Sequence, residues 1–232
     1  MRTLLTILGL CLVSSSCSAL SRPVESEFVP AGFTRLIAQS MSAPLERWRI
    51  LGGANFSASF DRDGESSAYS ATLNGEAENM QRNSFLVSDE EYGDFELLVG
   101  VRIEPGGNSG IQIRSHVDWE ANEGEGRLFG YQIEIDPSER AWSAGLYDEG
   151  RRGWLANLEG NPEARAAFVV GEWNQYRILC EGARIRTWVN GVPAVDFVDE
   201  GENLDLKGHI AFQVHSGKRS FVQWLDPVIR VL

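Results

Sequence analysis

The sequence has few cysteines and few basic residues. Cys11, Cys17 and Cys180 are its three cysteines. Once an N-terminal signal is removed, Cys180 has no plausible partner, so no disulfide framework supports the fold. Lys and Arg number 21 against 33 Asp and Glu, for a formal net charge of -12. No broad positive field exists to gather phosphate backbones, which argues against nucleic acid as a partner.

Long apolar runs are also missing. The run from Leu4 to Val13 is too short to span a bilayer, which needs about 20 residues. Arg2 precedes this run, and small residues follow it up to Ala19, as in a signal peptide over residues 1–19. We therefore expect an exported protein, either periplasmic or anchored to the outer membrane as a lipoprotein, otherwise secreted.

Two cleavage sites are compatible with this segment. A cut before Cys17 leaves an N-terminal cysteine for a lipid anchor, although Ser14 stands where a lipoprotein signal usually has Leu. A cut after Ala19 releases a soluble protein instead. The sequence leaves both alternatives open, and it does not indicate the oligomeric state.

The rest of the chain divides into a linker and one domain. Residues 20–46 contain three prolines and a short apolar pattern at Phe33, Leu36 and Ile37, which predicts a linker with a small helix. Residues 47–232 alternate short strand-like runs with turns, and no run has helical periodicity over three turns. This pattern predicts one all-β sandwich of two antiparallel sheets, a class that often reaches about 200–250 residues as one domain.

The clearest local signal lies between Trp173 and Val198. Three strand-like runs are separated there by Gly182-Ala183 and by Asn190-Gly191. An Asn-Gly pair between alternating apolar residues predicts a hairpin with a type I′ turn, because both residues accept positive φ angles.

Several strands divide their side chains sharply between two faces. Ile111 and Ile113 alternate with Gln112 and Arg114, and the same division is found in Tyr131–Asp136, Arg184–Asn190 and His209–His215. One interpretation is the ordinary solvated face of an antiparallel sheet. The abundance of Gln, Arg, His and Trp favours the other, a concave face that binds sugar. The acidic segment 118–125 either overhangs this face or is simply solvated.

Several ordered strings carry a resemblance to a known family. They are SFLVSDEEYGDFELLVGVRI at 84–103, GGNSGIQIRS at 106–115, GYQIEID at 130–136, GLYDE at 145–149, GEWNQYRILCEGARIRTWVNGVPAVDF at 171–197 and GHIAFQVHSG at 208–217. Over roughly Trp48 to Leu232 the sequence resembles the 3-keto-disaccharide hydrolase domain family, which is often labelled as related to laminarinases.

The resemblance implies a fold and a chemistry. The fold is a concanavalin A-like jelly-roll sandwich of two antiparallel sheets. The substrates are glycosides already oxidised to a ketone at C3, which acidifies the C2 proton, so that a base removes this proton and the C1 substituent leaves. The glutamate pair of laminarinase-type enzymes is incomplete here, because the matching strand has Gln132, Glu134 and Asp136. This difference argues against direct hydrolysis through paired carboxylates.

Positions matching the family give the candidate site. The expected catalytic residues are Glu134 or His215 as the base, Arg114 for the enolate oxygen and Tyr147 for the leaving oxygen. The expected substrate-binding residues are Gln112, Gln132, Asp148, Trp173, Asn174, Trp188 and Gln213. We expect no cofactor, although a divalent ion at His215, Glu134 and Asp136 stays open. The partner is an oligosaccharide or glycoside, and a non-catalytic, lectin-like binding module is the rival interpretation.

Overall fold

The computed structural model describes residues 29–37, 43–62, 69–202 and 204–232. This part of the chain forms two antiparallel sheets and one short α-helix, which confirms the predicted all-β jelly-roll sandwich. No helix within it is long and apolar enough to cross a membrane. The predicted signal peptide and the alternative anchor at Cys17 lie outside the described residues.

The strands follow one another with short connections. Their bounds are β1 Thr34–Arg35, β2 Trp48–Leu51, β3 Asn55–Arg62, β4 Tyr69–Met80, β5 Ser84–Tyr92, β6 Phe95–Ile103, β7 Ser109–Asp118, β8 Arg127–Ile135, β9 Leu146–Glu149, β10 Gly153–Ala156, β11 Asn174–Glu181, β12 Arg184–Val189, β13 Val192–Val198, β14 Gly208–Val214 and β15 Gly217–Val231. A 3-10 turn at Asn122–Gly124 lies between β7 and β8, and the helix α1 at Pro162–Ala167 lies between β10 and β11.

The strands are arranged in two layers. The front sheet has the order β10-β9-β8-β7-β14-β5-β2, and the back sheet has the order β13-β12-β11-β6-β15-β4-β3, with β1 paired to β15. Alternate residues of each strand point between the layers, where Ile111, Ile113 and Ile133 of the front sheet share one apolar core with Tyr176 and Trp224 of the back sheet. The polar residues between those isoleucines therefore lie on the outer face of the front sheet.

The expected helix near Phe33 to Ile37 is wrong for the described residues. Thr34 and Arg35 form β1 instead, with Thr34 opposite Ile229 of β15. The backbone N–H of Leu36 also donates to the carbonyl oxygen of Pro227 over 2.9 Å. β15 offers unpaired backbone groups to this segment, and satisfying them outweighs the weak local periodicity.

The predicted Asn-Gly hairpin is confirmed. β12 and β13 pair in antiparallel register, and the turn has φ angles of 50° at Asn190 and 80° at Gly191. Both angles are positive, as a type I′ turn requires. Ile185 and Val189 are buried on the inner side of β12.

This turn gives a test of the fold. Replacing Gly191 with Val should destabilise the protein by about 1–2 kcal/mol or more, because a β-branched residue resists the left-handed region. Gly160→Val is the matched control, since Gly160 is exposed, has no positive φ and has open space around it. Urea unfolding measures both variants. Equal free energies of unfolding for the two variants would contradict the turn.

Candidate functional site

A row of amide side chains crosses the outer face of the front sheet and ends at a carboxylate. Gln112 of β7 lies opposite Gln132 of β8 and opposite Ala211 of β14, and Gly110 lies opposite Glu134. Gln213 follows Ala211 by two residues and so lies on the same face. Four of the residues predicted for the site are therefore brought together by register.

The amide N–H groups in this row donate from one side chain to the next, and the last acceptor is the carboxylate of Glu134. Gln112 Nε2 and Gln213 Nε2 both donate to Gln132 Oε1, over 2.6 and 3.0 Å. Gln132 Nε2 then donates to Glu134 Oε2 over 2.9 Å, and Asn108 Nδ2 donates to Glu134 Oε1 over 2.8 Å. Each carboxylate oxygen of Glu134 thus accepts one amide N–H, which fixes the orientation of this group.

Gly110 makes room for this arrangement. A Cβ atom at this position would lie 2.4 Å from Cδ of Gln132 and 2.8 Å from its Oε1. The Gln132 side chain therefore lies directly over the Gly110 backbone, between Gln213 and Glu134. This close approach explains a glycine at the start of the strand that carries Gln112.

The amide row is buried, and an apolar cluster lies on the same face of the front sheet. Leu51, Phe85, Val87, Leu128 and Ala211 form a second, small apolar cluster on this face. The segment between β7 and β8 lies against it, with the site of a Cβ on Gly126 2.6 Å from Cδ1 of Leu51. Apart from the half-buried Ala121, residues 118–125 are exposed, which fits the solvated one of the two interpretations of this segment.

The surroundings of Glu134 raise its pKa. Burial is the largest cause, because it penalises the charged form, and the nearby charge of Asp136 adds to it. The hydrogen bonds from Asn108 and Gln132 and the charge of Arg140 act in the opposite direction. A carboxyl group with a raised pKa that is still held by amide donors is suited to accept a proton near neutral pH.

Tyr147, Glu149 and His215 lie around Glu134. Burial raises the pKa of Glu149, and the charge of Glu134 raises it further, whereas the charge of His215 lowers it. Burial likewise raises the pKa of Tyr147, with Glu149 and Glu134 as the next causes. Glu149 is therefore close enough to both Glu134 and His215 for their charges to act on it.

The hydrogen bond of His215 defines its tautomer. His215 Nδ1 lies 2.8 Å from the carbonyl oxygen of Ser216, which can only accept. Nδ1 therefore carries a proton. Glu134 and His215 both stay candidates for the base.

Other residues at this site were missed by the sequence analysis. Arg140 Nε donates to Asp136 Oδ2 over 2.7 Å, and its Nη2 lies 3.5 Å from Glu134 Oε1. The Arg140 guanidinium also lies 5.0 Å from the ring centres of Trp142 and Trp154. These residues belong to irregular segments and a short edge strand, where strand alternation gives no signal. Asn108 lies in the glycine-rich string, where its own role was not recognised.

The placement of Arg114 beside Glu134 is wrong. Arg114 has a φ of 47°, and the register between β7 and β8 shifts after Ile113. This bulge reverses the alternation on which the prediction depended. The buried guanidinium donates to the carbonyl oxygens of Gly93 and Gly182, over 2.8 and 2.6 Å, and to Asp94 over 2.7 Å. Arg114 thus ties together the turns after β5 and β11.

Asp148 and Asn174 also have structural contacts away from Glu134. Asp148 alternates with Tyr147 on β9, so it points to the other face, where it pairs with Arg151 and Arg152. Asn174 lies on the back sheet and donates to the carbonyl oxygens of Val169 and Glu172, over 2.9 and 2.8 Å. Neither residue joins the amide row.

Trp173 and Trp188 are also associated with the back sheet. Arg102 lies 4.6 Å from the Trp173 ring, and Arg177 lies 4.2 Å from the Trp188 ring. Strand alternation correctly assigned Trp188 to an outer face, but it could not tell which of the two sheets that face belongs to. The stacking platform expected at Trp188 is therefore not at this site.

The described ranges contain no group of three or more His, Cys, Asp or Glu side chains arranged to hold a metal ion. Glu134, Asp136 and His215 are all described, and they do not gather into such a group. Asp136 is instead held by Arg140 and by the backbone N–H of Ser138.

Fold and site together define a jelly-roll β-sandwich whose front face holds a carboxylate among amide donors. The model of the 3-keto-alpha-glucoside-1,2-lyase-like domain matches residues 42–224, and the chain belongs to this family. The family resemblance is thereby confirmed. No curated protein matches the sequence.

Solved structures share the fold at low sequence identity. A protein of unknown function with a galectin-like fold from Bacillus subtilis is 15% identical with a TM-score of 0.57, covering 85% of this chain and 94% of that one. The carbohydrate-binding module CBM66 from Bacillus subtilis is 16% identical with a TM-score of 0.51, covering 76% of this chain and 91% of that one. These likenesses show the sandwich architecture.

The corrected position of Arg114 predicts a stability defect. Arg114→Met leaves the carbonyl oxygens of Gly93 and Gly182 without their donor and should cost at least about 2 kcal/mol in the free energy of unfolding. Arg47→Met is the control, because its exposed ion pair with Glu90 should contribute no more than about 1 kcal/mol. Urea unfolding of both variants measures the difference. A larger loss in Arg47→Met would contradict this assignment.

Proposed function

We propose that this protein binds a glycoside carrying a ketone at C3 and cleaves its C1–O bond by elimination. The observation that carries the proposal is the Glu134 carboxylate, oriented by two amide N–H groups and with a pKa raised by burial. Membership of the 3-keto-alpha-glucoside-1,2-lyase-like family supports the same substrate class.

The proposed reaction starts at C2. The neighbouring ketone acidifies the C2 proton, which Glu134 removes, and the electron pair moves onto the C3 oxygen as an enolate. The enolate then collapses, so that a C1=C2 double bond forms, the C1–O bond breaks and the leaving oxygen takes up a proton. Addition of water to the double bond completes the conversion to a free 3-keto sugar.

Each charge that develops during this reaction has a proposed partner among the side chains of the site. Glu134 is the proposed base, and His215 Nε2 is the alternative. Arg140, with its guanidinium 3.5 Å from Glu134, replaces Arg114 as the cation proposed to stabilise the enolate oxygen. The Tyr147 hydroxyl, on the strand next to Glu134, is the proposed proton donor to the leaving oxygen.

The amide row is proposed to hold the sugar hydroxyls. Gln213 Oε1 is buried and has no hydrogen-bond partner within the described part of the chain. An unsatisfied buried acceptor is costly, so a hydroxyl donor from the ligand would complete it. The proposal includes export, since the sequence of residues 1–19 has the features of a signal peptide.

Purified protein incubated with a panel of 3-keto-glycosides and their unoxidised parents tests the proposal. Release of the leaving group from the keto compounds alone is expected, and a parallel series with EDTA measures any need for a divalent ion. Release from neither set, together with binding of the sugars, would replace the enzyme with a lectin-like binding module.

Replacing Glu134 with Gln removes the base and keeps the shape. Glu134→Gln should retain the fold and sugar binding while lowering kcat by about 10²–10⁴, as loss of a general base does. Steady-state kinetics and calorimetric binding measure the two effects separately. His215→Gln is the companion variant, and an unchanged kcat in Glu134→Gln with a loss in His215→Gln would transfer the role of base to His215.

The raised pKa of Glu134 predicts the pH profile. The base acts in its ionised form, so kcat/KM should fall as the pH drops through this pKa, at a pH above the usual range of a glutamate. Rates measured across the acidic to neutral range locate this limb. A limb at the pKa of an unperturbed glutamate would show that burial does not tune this group in solution.

A further inference from the structure

An aromatic group continues the amide row across the front sheet. Tyr147 of β9 lies opposite Gln132, and Trp154 of β10 lies opposite Tyr147, so the three side chains share one face. Trp142, from the segment between β8 and β9, meets Trp154 in a T-shaped contact, with ring centres 4.8 Å apart. The ring centre of Tyr147 lies 5.3 Å from that of Trp154. The outer face of the front sheet therefore changes from amides to aromatic rings at β9.

The aromatic rings are less buried than the amides beside them. Tyr147, Trp142 and Trp154 are half-buried, whereas Gln112 and Gln132 are almost completely buried. Small-molecule sites combine aromatic surface with a few oriented polar groups. The end of the row at β9 and β10 provides both, on a surface that a ligand can still reach.

Trp154 contacts two residues that have a role in the proposed reaction. Its ring centre lies 5.0 Å from Cζ of Arg140, the cation proposed for the C3 oxygen, and its other neighbour Tyr147 is the proposed donor to the C1 oxygen. Nη2 of Arg140 lies 3.5 Å from Oε1 of Glu134, the proposed base at C2. C1, C2 and C3 are consecutive atoms of one ring. A sugar that meets all three groups therefore lies beside Trp154.

We propose that Trp154 is the stacking platform for the sugar ring that reacts at Glu134. The inference rests on the proposed function, since Glu134, Arg140 and Tyr147 define where the reacting atoms lie. A pyranose ring carries C–H groups on its faces, and these bury apolar area against an indole ring. Its hydroxyls, at the edge of the ring, stay free to bond to the amide row. The platform that the sequence suggested at Trp188 is thereby reassigned to the front sheet.

Substitutions at two tryptophans test the platform. Trp154→Leu removes the aromatic ring, and Trp154→Phe keeps a smaller one. Trp188→Leu is the matched control, because Trp188 is also half-buried beside an arginine, with Arg177 4.2 Å from its ring centre, but lies on the back sheet. The probes are methyl α-glucoside and its 3-keto form. Calorimetry measures the Kd of the unoxidised compound, and kinetics measures KM and kcat of the keto compound across the pH range.

Trp154→Leu should weaken the binding of methyl α-glucoside about tenfold or more, as loss of a central tryptophan contact does. The KM of the keto compound should rise by a similar factor, since the contact holds substrate and transition state alike. Trp154→Phe should lose less affinity, and it tests the platform even where the leucine variant does not fold. Trp188→Leu should bind like the parent.

An unchanged Kd in the Trp154 variants, or an equal loss in Trp188→Leu, would overturn the inference, and so would a parent that binds neither compound. An unchanged Kd with the acid limb of kcat/KM moved to higher pH would show that Trp154 only holds Arg140, whose charge lowers the pKa of Glu134. Weakened binding in Trp154→Leu without turnover of the keto compound by the parent would instead overturn the proposed function alone.

Discussion

The site depends on holding the carboxylate of Glu134 in place after it has been removed from water. Burial of Glu134 disfavours its charged form, and two amide N–H groups offset part of that cost. Those donors must be aimed accurately, so Gln132 is itself held by Gln112 and Gln213. The back sheet contributes as well, because Tyr176 Oη donates to the backbone carbonyl oxygen of Glu134 over 3.2 Å. The sandwich therefore positions Glu134 from both of its layers.

Sequence alternation predicted the parts of this arrangement that regular strands determine. Gln112, Gln132, Glu134 and Gln213 lie in uninterrupted stretches of β7, β8 and β14, where a period of two assigns each side chain to a face. Arg114 lies only two residues beyond Gln112, but its positive φ and the bulge place it elsewhere. A β-bulge adds one residue to one of two paired strands, and the types of the neighbouring residues do not predict it.

Other features could not be predicted from the sequence because they depend on contacts between distant segments. Asp148 and Trp188 have the residue types of a sugar site, but one points to the opposite face of β9 and the other lies on the back sheet. Conversely, Arg140 reaches Glu134 from a loop with no periodicity. The small helix expected near Phe33 was replaced by a strand, because the edge of β15 supplied hydrogen-bond partners.

Glu134 and Glu149 are linked through their charges. Glu134 is buried and Glu149 is half-buried, and the charge of Glu134 is one of the causes that raise the pKa of Glu149. Ionisation of Glu134 therefore favours the protonated form of Glu149, and protonation of Glu134 relieves this effect. In the proposed reaction Glu134 gains a proton, so the pKa of the neighbouring Glu149 falls at that step.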